Sequence, residues 1–199
     1  MTTIRVSAPS VRSYGAQAQD IFGEIHTSLG QLVNDVTHVH YIGPNAAMFK
    51  AKCGQIAADF ANKMHTNMSS MAEAVRASTS NIANSLGGSA ITISVEARPF
   101  IVAPAEKSDG ELTDVDTTGL EALTPLVNQR FAAIREGLAS HLSALQATDW
   151  AGQAKDGAVS TVSAVTRAAQ NNCQTTQTSI TDFIASQLES VLAADKPIA

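Results

Sequence analysis

Apolar residues recur at helical spacing in four long stretches of the chain. Their steps of three and four residues place them along one side of a helix that packs against other helices. The sequence therefore predicts four long helices, around residues 18–39, 53–82, 127–145 and 159–191. The apolar positions are Ala18, Ile21, Ile25, Leu29, Leu32, Val36 and Val39; Cys53, Ile56, Phe60, Met64, Met68, Met71, Val75 and Ile82; Val127, Phe131, Ile134, Leu138, Leu142 and Leu145; and Val159, Val162, Val165, Ala169, Cys173, Thr176, Ile180 and Phe183.

Between the second and third helices the pattern changes. Ile91, Ile93 and Val95 alternate with polar residues, which predicts a short β-strand before a second apolar run at 100–102. Residues 106–119 then carry five acids against one lysine, as expected of an exposed linker. Pro125 is expected in the first turn of the third helix. The chain is thus predicted to be a helix pair, a linker with a strand-like segment, and a second helix pair.

The two helix pairs align with each other when the chain is shifted by the 109 residues that separate Tyr41 from Trp150. Core positions match on both sides of an aligned turn, which indicates a duplicated unit of about 90 residues. The aligned pairs are Phe22 and Phe131, Ile25 and Ile134, Leu29 and Leu138, Val36 and Leu145, Tyr41 and Trp150, Gly43 and Gly152, Cys53 and Val162, Met64 and Cys173, Met71 and Ile180, Val75 and Ile184, and Ile82 and Val191.

The aligned turn, or elbow, has a simple physical basis in each half. Gly43 and Gly152 are able to take the positive φ that ends a helix, and Pro44 is suited to the first turn of the next one. The aromatic residue two positions earlier, Tyr41 or Trp150, can cover the elbow with its ring. We expect Trp150 to pack on its own hairpin, with a role as a partner-binding residue as the alternative.

Composition and charge exclude several classes of function. The chain has 199 residues, with 13 Lys and Arg against 18 Asp and Glu and a formal net charge of -5. It lacks the basic footprint of nucleic-acid binding, so we expect no nucleic-acid partner. The longest nearly uninterrupted apolar stretch, residues 100–105, is far short of the roughly 20 residues of a membrane span. The first residues also lack the apolar region of a signal peptide, so we expect any export to use another route.

Candidate chemistry is sparse. Cys53 and Cys173 lie in apolar helical patterns, so buried thiols are expected rather than a disulfide or a zinc site. The methionines at 64, 68 and 71 are expected in the core, with a promiscuous binding face as the alternative. No nucleophile motif or phosphate loop is recognisable, so we expect no catalytic activity and no cofactor. The histidines lack metal-ligand spacing and are expected at the rim of the bundle or in solvent, except that His141, near the apolar face of the third helix, is expected as a satisfied boundary residue; they are His26, His38, His40, His65 and His141.

The elbow motifs carry a resemblance to a known family. Two long helices joined at Trp150-Ala151-Gly152, with Tyr41-Ile42-Gly43 at the matching place in the first half, resemble the WXG family of helical-hairpin proteins. That family is handled by type VII (ESX) secretion systems in actinobacteria and other Gram-positive bacteria. The resemblance implies an all-α fold, in which two hairpins form an elongated antiparallel four-helix bundle with an irregular, partly β linker. The units would be residues 7–88, a linker at 89–117, and residues 118–199.

The resemblance also implies a function. The chain would be a non-enzymatic tandem WXG-like protein of a type VII system, either a secreted substrate or a chaperone-like partner. The alternative is a self-assembling scaffold with the same fold that is not secreted. Its partner would be another WXG-like or secretion-system protein, or a second copy of itself. Its location would be cytoplasmic before export and then secreted or at the cell surface.

Two sets of residues are expected to carry this role. The elbow set is Tyr41, Gly43, Pro44, Trp150 and Gly152. The seam between the hairpins is Ile21, Ile25, Leu29, Leu32, Ile56, Phe60, Met64, Met71, Phe131, Ile134, Leu138, Leu145, Val162 and Ile180.

The family's export signal, Tyr-x-x-x-Asp or Tyr-x-x-x-Glu after the second helix, is missing. Neither Tyr14 nor Tyr41 has an acid four residues on. We therefore expect a signal-bearing partner to be needed for export, docked near residues 183–195.

Overall fold

The computed structural model describes residues 5–43, 45–86, 90–96, 99–102 and 115–194. Helices α1 (Ala8–Thr37), α2 (Ala46–Leu86), α3 (Thr118–Ala147) and α4 (Gln153–Ala194) account for most of them, with two short strands, β1 (Arg5–Val6) and β2 (Trp150–Ala151). The predicted all-α four-helix bundle is confirmed. Pro44, Gly87, Gly88, most of the acidic linker and the last five residues lie outside the described residues.

The helices begin and end where local chemistry favours it, with one exception. Ser7 caps α1, since its hydroxyl accepts a hydrogen bond from the Ser10 amide, and Pro9 lies in the first turn. Gly43 and Gly152 both have positive φ, at 150° and 122°, as the elbows require. The expectation for Pro125 is wrong. Because α3 already begins at Thr118, this proline lies inside the helix and removes one backbone hydrogen bond there.

Each helix packs mainly against two others. Within the hairpins α1 contacts α2 and α3 contacts α4; between the hairpins α1 contacts α3 and α2 contacts α4. The predicted apolar faces supply the core, and the three core methionines and both cysteines are buried, as predicted. An ion pair between Arg130 and Asp35, 2.9 Å long and mostly shielded from solvent, also joins α3 to α1.

The two ends of the bundle are tied in the same way. β1 pairs antiparallel with β2, so the segment before α1 is bonded to the elbow of the second hairpin. At the opposite end Ile42 forms an antiparallel bridge with Asp116, so the segment before α3 is bonded to the elbow of the first hairpin. Each elbow is therefore held by the chain that leads into the other hairpin.

Residues 90–96 and 99–102, here called the strap, pack against α1 and α2. The predicted β-strand at 91–95 is wrong, because no second strand pairs with this segment within the described chain. Ile91 and Ile93 are buried against the helices instead, while helix side chains take up strap amides: Thr79 Oγ1 accepts from Ile91, and Gln19 Oε1 accepts from Ser94.

The far end of the strap is held by one amide side chain. Asn62 donates from Nδ2 to the carbonyl oxygen of Phe100 and accepts at Oδ1 from the Phe100 amide, at 3.1 and 3.0 Å. Glycines allow the strap to lie close to the helices. A Cβ on Gly15 would stand 2.9 Å from Ile91, and one on Gly54 would stand 3.0 Å from Val102.

Candidate interaction surfaces at the two ends of the bundle

The first elbow is built around Tyr41, which is almost fully buried. Its hydroxyl oxygen accepts a hydrogen bond of 3.0 Å from Gln187 Nε2 on α4. Its ring meets Phe49 edge-on, and Phe49 stacks on Phe183 with 5.3 Å between ring centroids. Burial raises the pKa of Tyr41, and the bond from Gln187 partly offsets that rise. The first hairpin's elbow is thus tied to the last turns of the second hairpin.

Large apolar side chains remain exposed around this end. We call Met48, Val115 and Leu192 the first-elbow patch; they are 59, 48 and 60% exposed. Met48 belongs to the first turn of α2, Val115 precedes α3 and approaches Gly43, and Leu192 belongs to the last turns of α4. Close by, the Lys52 ammonium lies 4.5 Å from the centre of the Phe183 ring. Exposed apolar side chains next to a cation are suited to contact with a protein partner.

The second elbow has a different composition. Trp150 is 3% exposed and pairs with Val6 of the segment before α1, and its indole Nε1 is buried and finds no acceptor among the described residues. Ala158 and Ala74 occupy the positions equivalent to Phe49 and Phe183. An exposed ion pair of Arg5 with Asp149 flanks the β1–β2 pairing. The repeat therefore presents two unlike ends.

One histidine is more deeply buried than the boundary position expected for it. His141 is fully buried between α1 and α3, where its Nε2 lies 2.9 Å from the Tyr14 hydroxyl and its ring packs against Phe22. Burial lowers the pKa of His141 to about 4 and raises that of Tyr14. Two other histidines fit the expectation, since His40 pairs with Asp116 at an exposed site and His26 lies 3.5 Å from Glu96 near the surface.

The predicted seam residues lie in the interior of the bundle. All are buried except Ile56, which is partly buried and packs against the core. The elbow residues Tyr41 and Trp150 are buried at opposite ends, so the structure does not bring the two elbows together. Sequence reasoning missed Gln187, Phe49 and Tyr14 as contact residues. The alignment of the two halves could have pointed to Phe49, because the equivalent residue of the second half is the much smaller Ala158.

The described residues offer little scope for metal or thiol chemistry. They contain no group of three His, Cys, Asp or Glu side chains placed to hold a metal ion. Burial raises the pKa of both Cys53 and Cys173 to about 12, which keeps these thiols protonated and unreactive. None of the described helices has an apolar stretch long enough to cross a membrane.

Comparison with known proteins identifies no relative. The chain matches no protein-family model, no curated protein and no solved structure.

Proposed function

We propose that this chain is a non-enzymatic, tandem WXG-like protein of a type VII secretion system, exported as a substrate or acting as a chaperone-like partner of one. The observation that carries the proposal is the reciprocal bonding of the elbows: β1 with β2 at one end, and Ile42 with Asp116 at the other. This arrangement makes one chain equivalent to a pair of antiparallel hairpins, which is how members of the WXG family are expected to pair.

The contacts of α4 support a need for a signal-bearing partner. Phe183 and Gln187 have the spacing of the family's Tyr-x-x-x-Asp/Glu signal, but they lack its phenol and its carboxylate. They are also engaged internally, Phe183 with Phe49 and Gln187 with Tyr41. Because Gln187 is buried, we assign docking within residues 183–195 to the exposed side chains, among them Leu192.

The first-elbow patch is the surface that we assign to this partner. It includes Leu192 on the exposed face of the same helix end and adds Met48 and Val115 from the first hairpin and the segment before α3. Burying such side chains contributes roughly 25 cal/mol per Å² of apolar area, which favours a partner with an apolar contact face of its own.

The proposal is tested by following export in a host with an active type VII system. We expect the protein to stay in the cells when expressed alone, and to reach the medium when a signal-bearing WXG-like partner is co-expressed. Export should stop when the secretion ATPase is inactivated. Leu192→Glu should prevent export with the partner, while Leu126→Glu, at an exposed apolar position on α3, should not.

Three outcomes would count against this function. Export that continues when the secretion ATPase is inactive would exclude a role for the type VII system. Export without any partner would show that a signal-bearing partner is not needed. Retention in the cells under every condition, together with assembly into large homo-oligomers, would favour the scaffold alternative.

A further inference from the structure

An open cavity of about 640 Å³ lies beside the second elbow, within the size range of small-molecule sites. Its walls come from the start of α1, the last turns of α2, the first residues of the strap, and Trp150. The surroundings are mainly apolar, with Val6, Val11 and Ile91 among the lining residues. The first-elbow patch lies at the opposite end of the bundle, so the cavity is separate from the surface assigned to a partner.

The internal repeat explains why this end has open space. At the positions of Thr79 and Ala83 on α2, the second half of the chain carries Leu188 and Leu192 on α4. Gly15 on α1 likewise corresponds to the larger Thr124 on α3. The cavity therefore lies where the first half carries smaller side chains than the second, at Gly15 and Thr79, and its mainly apolar lining is suited to an aliphatic occupant.

Two side chains around the cavity have free N–H donors, Arg12 and Gln19. Arg12 donates from Nε to the Ala8 carbonyl at 3.4 Å, and it forms no ion pair with any described residue. Trp150 Nε1 also lacks an acceptor among the described residues, but it is closed to solvent, so a ligand in the cavity does not reach it. Gln19 Oε1 is already taken by the Ser94 amide, which leaves its NH₂ group. The Thr79 hydroxyl donates to Val75 and accepts from Ile91, so it is satisfied.

The charge of the lining has one sign. Arg12 is the single cation, and no Asp or Glu occurs among the described lining residues. In the second half of the chain the position of Arg12 is held by Glu121. A ligand that satisfies this lining needs an anionic group made of acceptors, next to an apolar body.

We propose that this cavity binds a single-chain aliphatic carboxylate, such as a medium-chain fatty acid. Arg12 holds the carboxylate at the rim, and the alkyl chain contacts Trp150, which lines the cavity. The aliphatic chain lies along Val11 and Ile91 and fills the space that Ala83 leaves open. The site is independent of the proposed role in secretion.

The chain supplies its own probe, because Trp150 is its single tryptophan. Decanoate, added to the full chain below its critical micelle concentration, should change the tryptophan fluorescence in a saturable way. Decanoate that carries bromine on its alkyl chain should quench the emission, because heavy-atom quenching needs close contact with the indole. Decylammonium, with the same chain and the opposite charge, should bind at least about tenfold more weakly because it meets Arg12.

Two variants separate the cavity from unspecific binding. Ala83→Leu enlarges a side chain that lines the cavity and should abolish the saturable change, whereas Ala77→Leu on the exposed face of α2 should bind as the native chain does. Arg12→Glu copies the charge of the other half at an exposed site, and it should weaken decanoate at least about tenfold. Melting curves followed by circular dichroism show that each variant is folded.

The proposal is overturned by any of three results. These are the absence of a saturable change with decanoate, equal affinity for decanoate and decylammonium, or native affinity in folded Ala83→Leu. If Ala83→Leu does not fold, the titration of Arg12→Glu with decanoate replaces it. Native affinity of Arg12→Glu for decanoate then overturns the proposal.

Discussion

The Tyr14 hydroxyl lies 2.9 Å from His141 Nε2, in a buried contact that joins α1 of the first hairpin to α3 of the second. At the equivalent positions the repeat has Leu123 and Leu32. One half of this interface is therefore polar and the other aliphatic.

The first prediction concerns stability in acid. Burial lowers the pKa of His141 from 6.5 to about 4, so the folded protein favours the neutral imidazole while the unfolded chain binds a proton more readily. The contribution of His141 to the free energy of unfolding is fully present above about pH 6.5. It declines as the pH falls towards 4, by about 3 kcal/mol in total. Urea titrations between pH 4 and 8 measure this decline.

His141→Leu is the control, since leucine is the residue at the equivalent position of the other half. The variant should flatten the dependence of stability on pH between 4 and 6.5, whatever its effect at pH 8. An unchanged acid profile in this variant would show that other groups cause the acid sensitivity.

The second prediction concerns the elbow of the second hairpin. Gly152 has a φ of 122°, which strains any residue with a Cβ, whereas Ala151 lies exposed in β2 and tolerates a β-branched side chain. Gly152→Val should lower the free energy of unfolding by about 1–3 kcal/mol relative to Ala151→Val. Thermal melts of the two variants side by side would contradict this if they coincided.

The third prediction concerns the strap. Asn62→Ala removes both hydrogen bonds to the Phe100 backbone and should lower the free energy of unfolding by about 1–2 kcal/mol. The matched control is Asn171→Ala, because Asn171 is the equivalent residue of the second hairpin and is exposed. Only Asn62→Ala should accelerate chymotryptic cleavage after Phe100. Equal cleavage of both variants would mean that the strap is held by its apolar contacts alone.

The fourth prediction concerns recognition between the hairpins. Residues 1–88 and 112–199, expressed separately and mixed, should form a 1:1 complex with increased helicity, because α1 and α2 pack on α3 and α4 along an apolar interface. Including the strap, as residues 1–102, should stabilise the first fragment by burying Ile91 and Ile93. Two stable fragments that elute separately in size-exclusion chromatography would contradict the prediction.

The helices were predictable because their apolar faces repeat over many turns, and the elbows because a glycine follows an aromatic residue at matched places. The strap was not. Its alternation at residues 91–95 resembles that of a strand, and only the fold shows that Thr79, Gln19 and Asn62 take up its backbone groups. The burial of His141 was missed for a related reason, since its partner Tyr14 is 127 residues away in sequence.

The fusion of both hairpins in one chain has a consequence for dilution. Two separate hairpins stay paired only while their concentration exceeds the dissociation constant of the pair. They therefore come apart when they are diluted. A covalent connection fixes the effective concentration of one partner around the other, commonly in the millimolar range for short flexible links. The pairing of α1 with α3 and of α2 with α4 should therefore persist at nanomolar protein, where an equivalent pair of free chains of moderate affinity would separate.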